Sequence, residues 1–249
     1  MLSFLAALFL STVVSADEAP GYISINAADL PPDLTRVPPL DVPYDQPPAY
    51  GAEDPSVVVV IFADYLCPAC RRASQASHRI ASEFPDTVRF EFMNNALASH
   101  ENADLAAIAG LAAQRQDAFW EMHDELFKTG KADMSSLENH ALSLNLDVEQ
   151  FLADMEDPAL RERIEREQMF ANTLGATNTP SYLVNGDVKI GWGSWGMLKS
   201  IVAREVAKAK ALADQGLSPQ EIREQRALDN NSDSISYDVY STSVLDRLN

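Results

Sequence analysis

Cys67 and Cys70, the two cysteines of the chain, stand where one backbone pattern gives way to another. Before them, VVVVIF at 57–62 is apolar and mostly β-branched without alternation, as in a strand covered on both faces. After them, Ala69, Ala73, Ala76, Ile80 and Phe84 recur at helical spacing until Pro85 and Asp86 break the run. The order strand, CxxC, helix constrains the rest of the reading. A disulfide across so small a ring staples little: chain entropy gives about 4.7 kcal/mol for a loop of ~100 residues but only about 2 kcal/mol for a ring of four. The spacing fits either half of a metal site or a redox couple that opens and closes. Zinc needs four ligands, and the one nearby, His78, lies about 180° round the helix from Ala69, away from the packed stripe. Haem attachment needs a histidine directly after the second cysteine, where Arg71 stands. No metal and no bound cofactor are expected, the disulfide itself being the redox group.

Downstream, VRFEFM at 88–93 alternates as a second strand, so residues 57–93 form a β-α-β unit with a parallel pair and a right-handed crossover. Residues 101–174 then read as successive helices. Leu105, Ile108 and Ala112 make one stripe, Phe119, Trp120, His123 and Phe127 another, and Leu137, Ala141 and Leu144 a third. Asp147 with Gln150 three residues on, and Asp157 before Pro158, are helix starts, and Gly175 is a stop. Strands return at Ser181–Val184 and Asp187–Ile190 around Asn185-Gly186, a hairpin signal. A long helix with Trp195, Leu198, Val202, Val206, Ala209 and Leu212 on one face ends near Gly216. Ser218, Pro219 and Glu221 open another, and the chain beyond Asp229 is polar.

The first 16 residues, MLSFLAALFLSTVVSA, read as a signal peptide closing on Val14, Ser15 and Ala16. The run is short for a membrane span and is followed at once by Asp17 and Glu18, which leaves an uncleaved anchor as the alternative. Residues 17–33 form an acidic, proline-rich lead-in. The same composition continues to residue 56 and favours extended, solvated backbone, with one short strand expected near Leu34–Val37. With 37 acidic against 19 basic residues the net charge is −18, which argues against nucleic acid or an anionic membrane as partner. An exported chain with one cysteine pair lives where disulfides persist, without needing one to hold its fold.

Laid end to end, this is an α/β protein running β-α-β, an all-α insertion at about 101–174, then β-β-α. The layout resembles the thioredoxin fold with the helical insertion of the DsbA-like thiol-disulfide oxidoreductases. The stretches that carry the likeness are GAEDPSVVVVIFADYLCPAC at 51–70, FWEMHDELF at 119–127 and GATNTPSYLVNG at 175–186. It covers roughly residues 34–215, leaving a C-terminal helix and polar tail at 216–249.

The resemblance implies a catalytic pair. Cys67, at a helix N-terminus where unpaired N–H groups and the dipole favour a thiolate, exchanges with the client, and Cys70, one turn in and more buried, resolves. Pro68 fits the first helical turn, and the Pro68-Ala69 dipeptide between the thiols has no histidine to donate to the thiolate. Thr179 and Pro180 resemble the cis-proline loop on which an extended client pairs as an added strand, and Tyr182 either lines that groove or belongs to the core. Two features depart from the family. Ile61 stands where many relatives keep a buried acid, and NNALASH at 94–100 lacks the relatives' proline and leucine before His100. Asp64 matches the family's strand-end aspartate and either relays a proton or caps the turn. His123 reads as a satisfied core residue, His100 and His140 as helix-flank residues without a visible partner, and Trp192 and Trp195 as anchors of the last long helix. The expected function is an exported protein disulfide oxidase. Its partners are client proteins and a recycling partner of unknown identity. Its potential lies between about −270 mV for thioredoxin and about −120 mV for DsbA. A reductase or isomerase, or a peptide-binding module on the same fold, are the alternatives.

Overall fold

A computed structural model describes residues 47–191 and 195–230. The strands are β1 (Ala49–Gly51), β2 (Val57–Ala63), β3 (Val88–Asn94), β4 (Ser181–Val184) and β5 (Asp187–Ile190). The helices are α1 (Pro68–Glu83), α2 (Ala103–Gln114), α3 (Phe119–Thr129), α4 (Met134–Ser143), α5 (Val148–Met155), α6 (Pro158–Thr173), α7 (Trp195–Ala213) and α8 (Pro219–Asn230). The sheet runs β1-β3-β2-β4-β5, with β2 and β3 parallel from Val57↔Val88 to Ala63↔Asn94 and the other pairs antiparallel. This is the expected β-α-β, helical insertion, β-β-α order.

The unbroken apolar run of β2 is explained by its two covers. Val57, Val59, Ile61 and Ala63 pack in one core with α1 and α7, while Val58, Val60 and Phe62 pack on the opposite face with Phe170, Ala171 and Leu174. The hairpin turns on Asn185 (φ 42°) and Gly186 (φ 88°), the left-handed pair that such a tight turn demands. Asn185 is also a clamp. Its side chain accepts from Val58 N at 2.9 Å and donates to Ser56 O at 3.0 Å, so the turn is pinned to the start of β2.

Several expectations need correction. β1 lies inside the segment read as solvated lead-in: three residues pair with β3, and Tyr50 stacks on Phe90 at 5.6 Å. Instead of one apolar stripe, α2 is buried on nearly every side, from Ala103 through Ala113, while Leu105 is only half-buried. Small residues suit that central position; at Gly110 an added Cβ would come within 3.0 Å of the Tyr65 hydroxyl. Trp195 is 38% exposed with Lys199 Nζ 4.8 Å from its ring, so it is not a buried anchor. The expectations on residues 1–16, the strand near Leu34–Val37, Trp192 and the tail beyond 230 lie outside the described residues. Among the described residues, no helix is long and apolar enough to cross a membrane.

Candidate functional site

β2 ends at Ala63 and α1 begins at Pro68, so residues 64–67 form the turn that carries the first cysteine to the C-terminal end of the sheet. Cys67 is the N-cap residue, in extended conformation (φ −78°, ψ 117°), and Pro68 follows where a missing N–H loses nothing. Both thiols are reduced; Cys67 keeps 8% of its surface and Cys70 1%. The Cys67 thiol contacts the Thr179 carbonyl at 3.4 Å, and the Thr179–Pro180 bond is cis. Positions 112 residues apart in sequence therefore meet at one sulfur, as the likeness implied.

The two thiols are driven apart in acidity. Cys67 is brought from 9.0 down to about 5, chiefly by the hydrogen bond from the Cys70 thiol; burial opposes this, and Thr179 and the N–H groups of Cys70 and Ala69 add to the lowering. The helix N-terminus acts as expected, but its partner thiol leads. The Thr179 carbonyl accepts from the Cys67 thiol, whereas it is the Thr179 side chain that favours the thiolate. Cys70 is pushed far up, first by burial and then by donating to Cys67. Cys67 ionises first.

Asp64 is a hub. Its carboxylate, with no side-chain surface exposed, accepts from Leu66 N at 2.7 Å, Leu97 N at 2.8 Å and His100 Nδ1 at 2.8 Å. Its main chain meets both cysteines: the carbonyl accepts from Cys67 N at 3.1 Å and the N–H donates to Cys70 Sγ at 3.5 Å. His100 thus has a partner that its flanking position did not reveal. So has His140, which meets Thr129 Oγ1 at 3.2 Å and the Lys131 carbonyl at 3.4 Å.

Under Cys70, Ile61, Ala63, Ser74, Phe92 and His123 border a cavity of about 10 Å³, room for about one water. Ile61 brings no carboxylate to it. Glu91 also borders the cavity. Strand alternation, however, sets its side chain with Met93 on the face of β3 opposite Phe90, Phe92 and Ile61, and burial raises its carboxyl to about 7. His123 is the satisfied core residue expected: Ser74 Oγ meets Nε2 at 2.9 Å and the Tyr65 hydroxyl meets Nδ1 at 3.4 Å, and burial lowers the ring to about 3. Tyr182 is wholly buried opposite Ile61, so of its two expected places the core is correct. His78 does not face solvent freely; its ring stacks on Tyr50 at 4.3 Å. His78, His123 and Asp124 hold ligand-type atoms within 4.8 Å of one another, the grouping closest to a metal site among the described residues. Both His123 nitrogens already have the partners named above.

The stretch 94–100, which departs from the family pattern, is held by distant groups. Asn94 N donates to Glu167 Oε2 at 2.7 Å, Asn95 Nδ2 to Ala176 O at 2.8 Å, and Gln168 Nε2 to Ala96 O at 2.7 Å. Between this loop and Thr177 lies a polar groove of about 580 Å³, with His100, Glu101, Gln168 and Asn172 in its walls. None of these ties has a signal in the sequence, since each joins residues at least 33 positions apart.

A family model described as thioredoxin matches residues 44–204. A thioredoxin-like oxidoreductase from Silicibacter pomeroyi DSS-3, solved as a crystal structure, is 33% identical; the alignment covers 64% of this chain and 91% of that one, with a TM-score of 0.59. The probable disulfide bond formation protein D of Bacillus anthracis is 32% identical over 158 residues, 58% of this chain and 72% of that protein. A Na(+)/H(+) antiporter NhaA of Herminiimonas arsenicoxydans is 35% identical over 160 residues, 64% of this chain but only 25% of the antiporter's length.

Proposed function

We propose, for a chain that belongs to the thioredoxin family and within it to the DsbA-like thiol-disulfide oxidoreductases, that it is an exported protein disulfide oxidase working through Cys67 and Cys70. The observation that carries the reading is the Cys67 sulfur, acidic and set against the Thr179 carbonyl of the loop before β4, with Cys70 buried behind it as a proton-holding thiol. In the oxidised protein a client thiolate attacks Cys67 Sγ. The Cys67–Cys70 bond breaks, a client–Cys67 bond forms, and Cys70 leaves as a thiolate that takes a proton. A second client thiolate attacks the client sulfur of the mixed disulfide and Cys67 leaves as a thiolate. Two electrons pass from the client dithiol to the protein, and the client keeps the disulfide. The low acidity of Cys70 favours its reprotonation, and the high acidity of Cys67 makes it the better leaving group in the second step. The Thr179 and Pro180 backbone beside Cys67 is where an extended client segment would pair. No cofactor is needed in this scheme, and a separate redox partner reoxidises the pair.

Cys67→Ala is expected to abolish oxidation of a reduced test protein, followed by thiol trapping; full activity in that variant would overturn the mechanism. The direction rests on the potential: a couple at or below the thioredoxin value would make the protein a reductase instead. A second reading is favoured by Ile61, which leaves the resolving thiol without the acid many relatives place there. In it the disulfide stays closed and the domain only binds peptides. A pair never found reduced or joined to a client outside the cytoplasm would support that reading.

A further inference from the structure

We propose that His100 is a positioning residue of the thiol pair: by donating Nδ1–H to the buried Asp64 carboxylate, it fixes the turn whose backbone holds both sulfurs. The inference rests on the redox reading of Cys67 and Cys70 given above. A carboxylate without exposed surface must be met by donors. Leu66 supplies one from inside the turn, whereas Leu97 N and His100 Nδ1 reach it from the loop after β3. Of the two outside donors only His100 uses a side chain, so it is the one a substitution can remove. Asp64 makes no side-chain bond to either cysteine. What it holds is its own main chain, with the carbonyl on Cys67 N and the N–H on Cys70 Sγ. The side chain is therefore a handle on the backbone between the two sulfurs, gripped from a second strand end.

The N–H bond to Cys70 Sγ favours the form in which that sulfur carries more negative charge, which is the reduced pair. The same bond orients the Cys70 thiol toward Cys67. Loosening the grip destabilises the reduced pair and weakens the donation that makes Cys67 acidic. His100 stands in the wall of the polar groove with 29% of its side chain exposed, so replacing it leaves no buried void of its own size.

The test uses the full chain with His100→Ala, His100→Asn and His100→Gln. Asn carries an amide nitrogen at the position of Nδ1, and Gln carries one a bond further out. For each, the dithiol–disulfide equilibrium with glutathione and the ultraviolet titration of the Cys67 thiolate are measured. His100→Ala and His100→Gln are expected to shift the equilibrium about tenfold toward the disulfide, about 30 mV, and to move the thiolate titration to higher pH. His100→Asn is expected to stay near wild type in both. Wild-type values for Ala, or equal shifts for Ala and Asn, overturn the proposal. Should Ala not fold, the difference between Asn and Gln decides, and equal values overturn it. If the pair fails to exchange with glutathione at all, it is the oxidoreductase reading that falls. The thiolate titration still decides on His100.

Discussion

One thiol of the pair is held ionisable, chiefly by its partner's hydrogen bond, and the other is held protonated, first by burial and then by making that bond. Cys70 donates to Cys67, so each shift sustains the other. This has a measurable consequence for the reduced protein. Cys67 has a folded pKa of about 5 against 9.0 when unperturbed, so its contribution to stability is complete above pH 9, declines as pH falls from 9 to 5, and is gone below 5. The raised pKa of Cys70 acts on the other side: above about pH 9 the unfolded chain ionises Cys70 while the folded one does not, and stability is lost again. Urea unfolding of the reduced protein should show an advantage over Cys67→Ser that grows steadily from pH 5 to pH 9. A difference independent of pH across that window would mean that Cys67 is not ionised in the fold.

Among the elements, those fixed by local chemistry were legible and those fixed by distant pairing were not. The hairpin at Ser181–Val184 and Asp187–Ile190 was readable to the residue because Asn-Gly dictates its turn, and α5 and α6 because Asp147 and Asp157 cap them as their spacing indicated. β1 was missed because three residues in a proline-rich stretch have no periodicity, and what makes them a strand is the edge of β3. At the site, Cys67, Cys70 and the Thr179–Pro180 loop could be named from the sequence, whereas the grip of His100 on Asp64 could not, since 36 residues separate them. Asn185 was readable as a turn residue but not as a clamp. Its side chain satisfies Val58 N and Ser56 O, and an unpaired buried backbone group costs about 1–3 kcal/mol. Asn185→Ala should therefore lower stability by about 3 kcal/mol, read as a lower urea midpoint at unchanged slope. Asn185→Gly keeps the turn's backbone freedom and loses both bonds, so it should fall nearly as far. If glycine restores wild-type stability, the turn geometry matters and the clamp does not.

Across the whole molecule the two ends of β2 do different work. The thiols, Asp64 and the Thr179 loop gather at its C-terminal end. At its N-terminal end Pro55, Ser56 and Val58 meet the hairpin turn and α8, a helix beyond the last residue matched by the family model. Cap and capping-box residues announced α8, but nothing local announced its docking, which depends on side chains meeting across the fold. Arg223 donates to the Pro55 carbonyl, and Asn230 donates to Asn185 O at 2.9 Å. Arg226 is held by Glu205 of α7 at 2.6 Å, with both side chains 7% exposed. Removing one member of a buried ion pair leaves the other uncompensated, at a cost of about 3–5 kcal/mol. Lys208 stands 3.6 Å from Glu205 and is itself half in solvent, so it can recover part of this. Arg226→Ala is therefore expected to lower the unfolding free energy by about 3 kcal/mol, and Arg226→Ala with Glu205→Gln by clearly less. Because the pair lies at the end of the sheet remote from the sulfurs, neither variant should move the dithiol–disulfide equilibrium with glutathione. A shift in that equilibrium accompanying the loss of stability would show that the two ends are coupled through β2, and that the redox centre depends on the C-terminal helix for more than a folded scaffold.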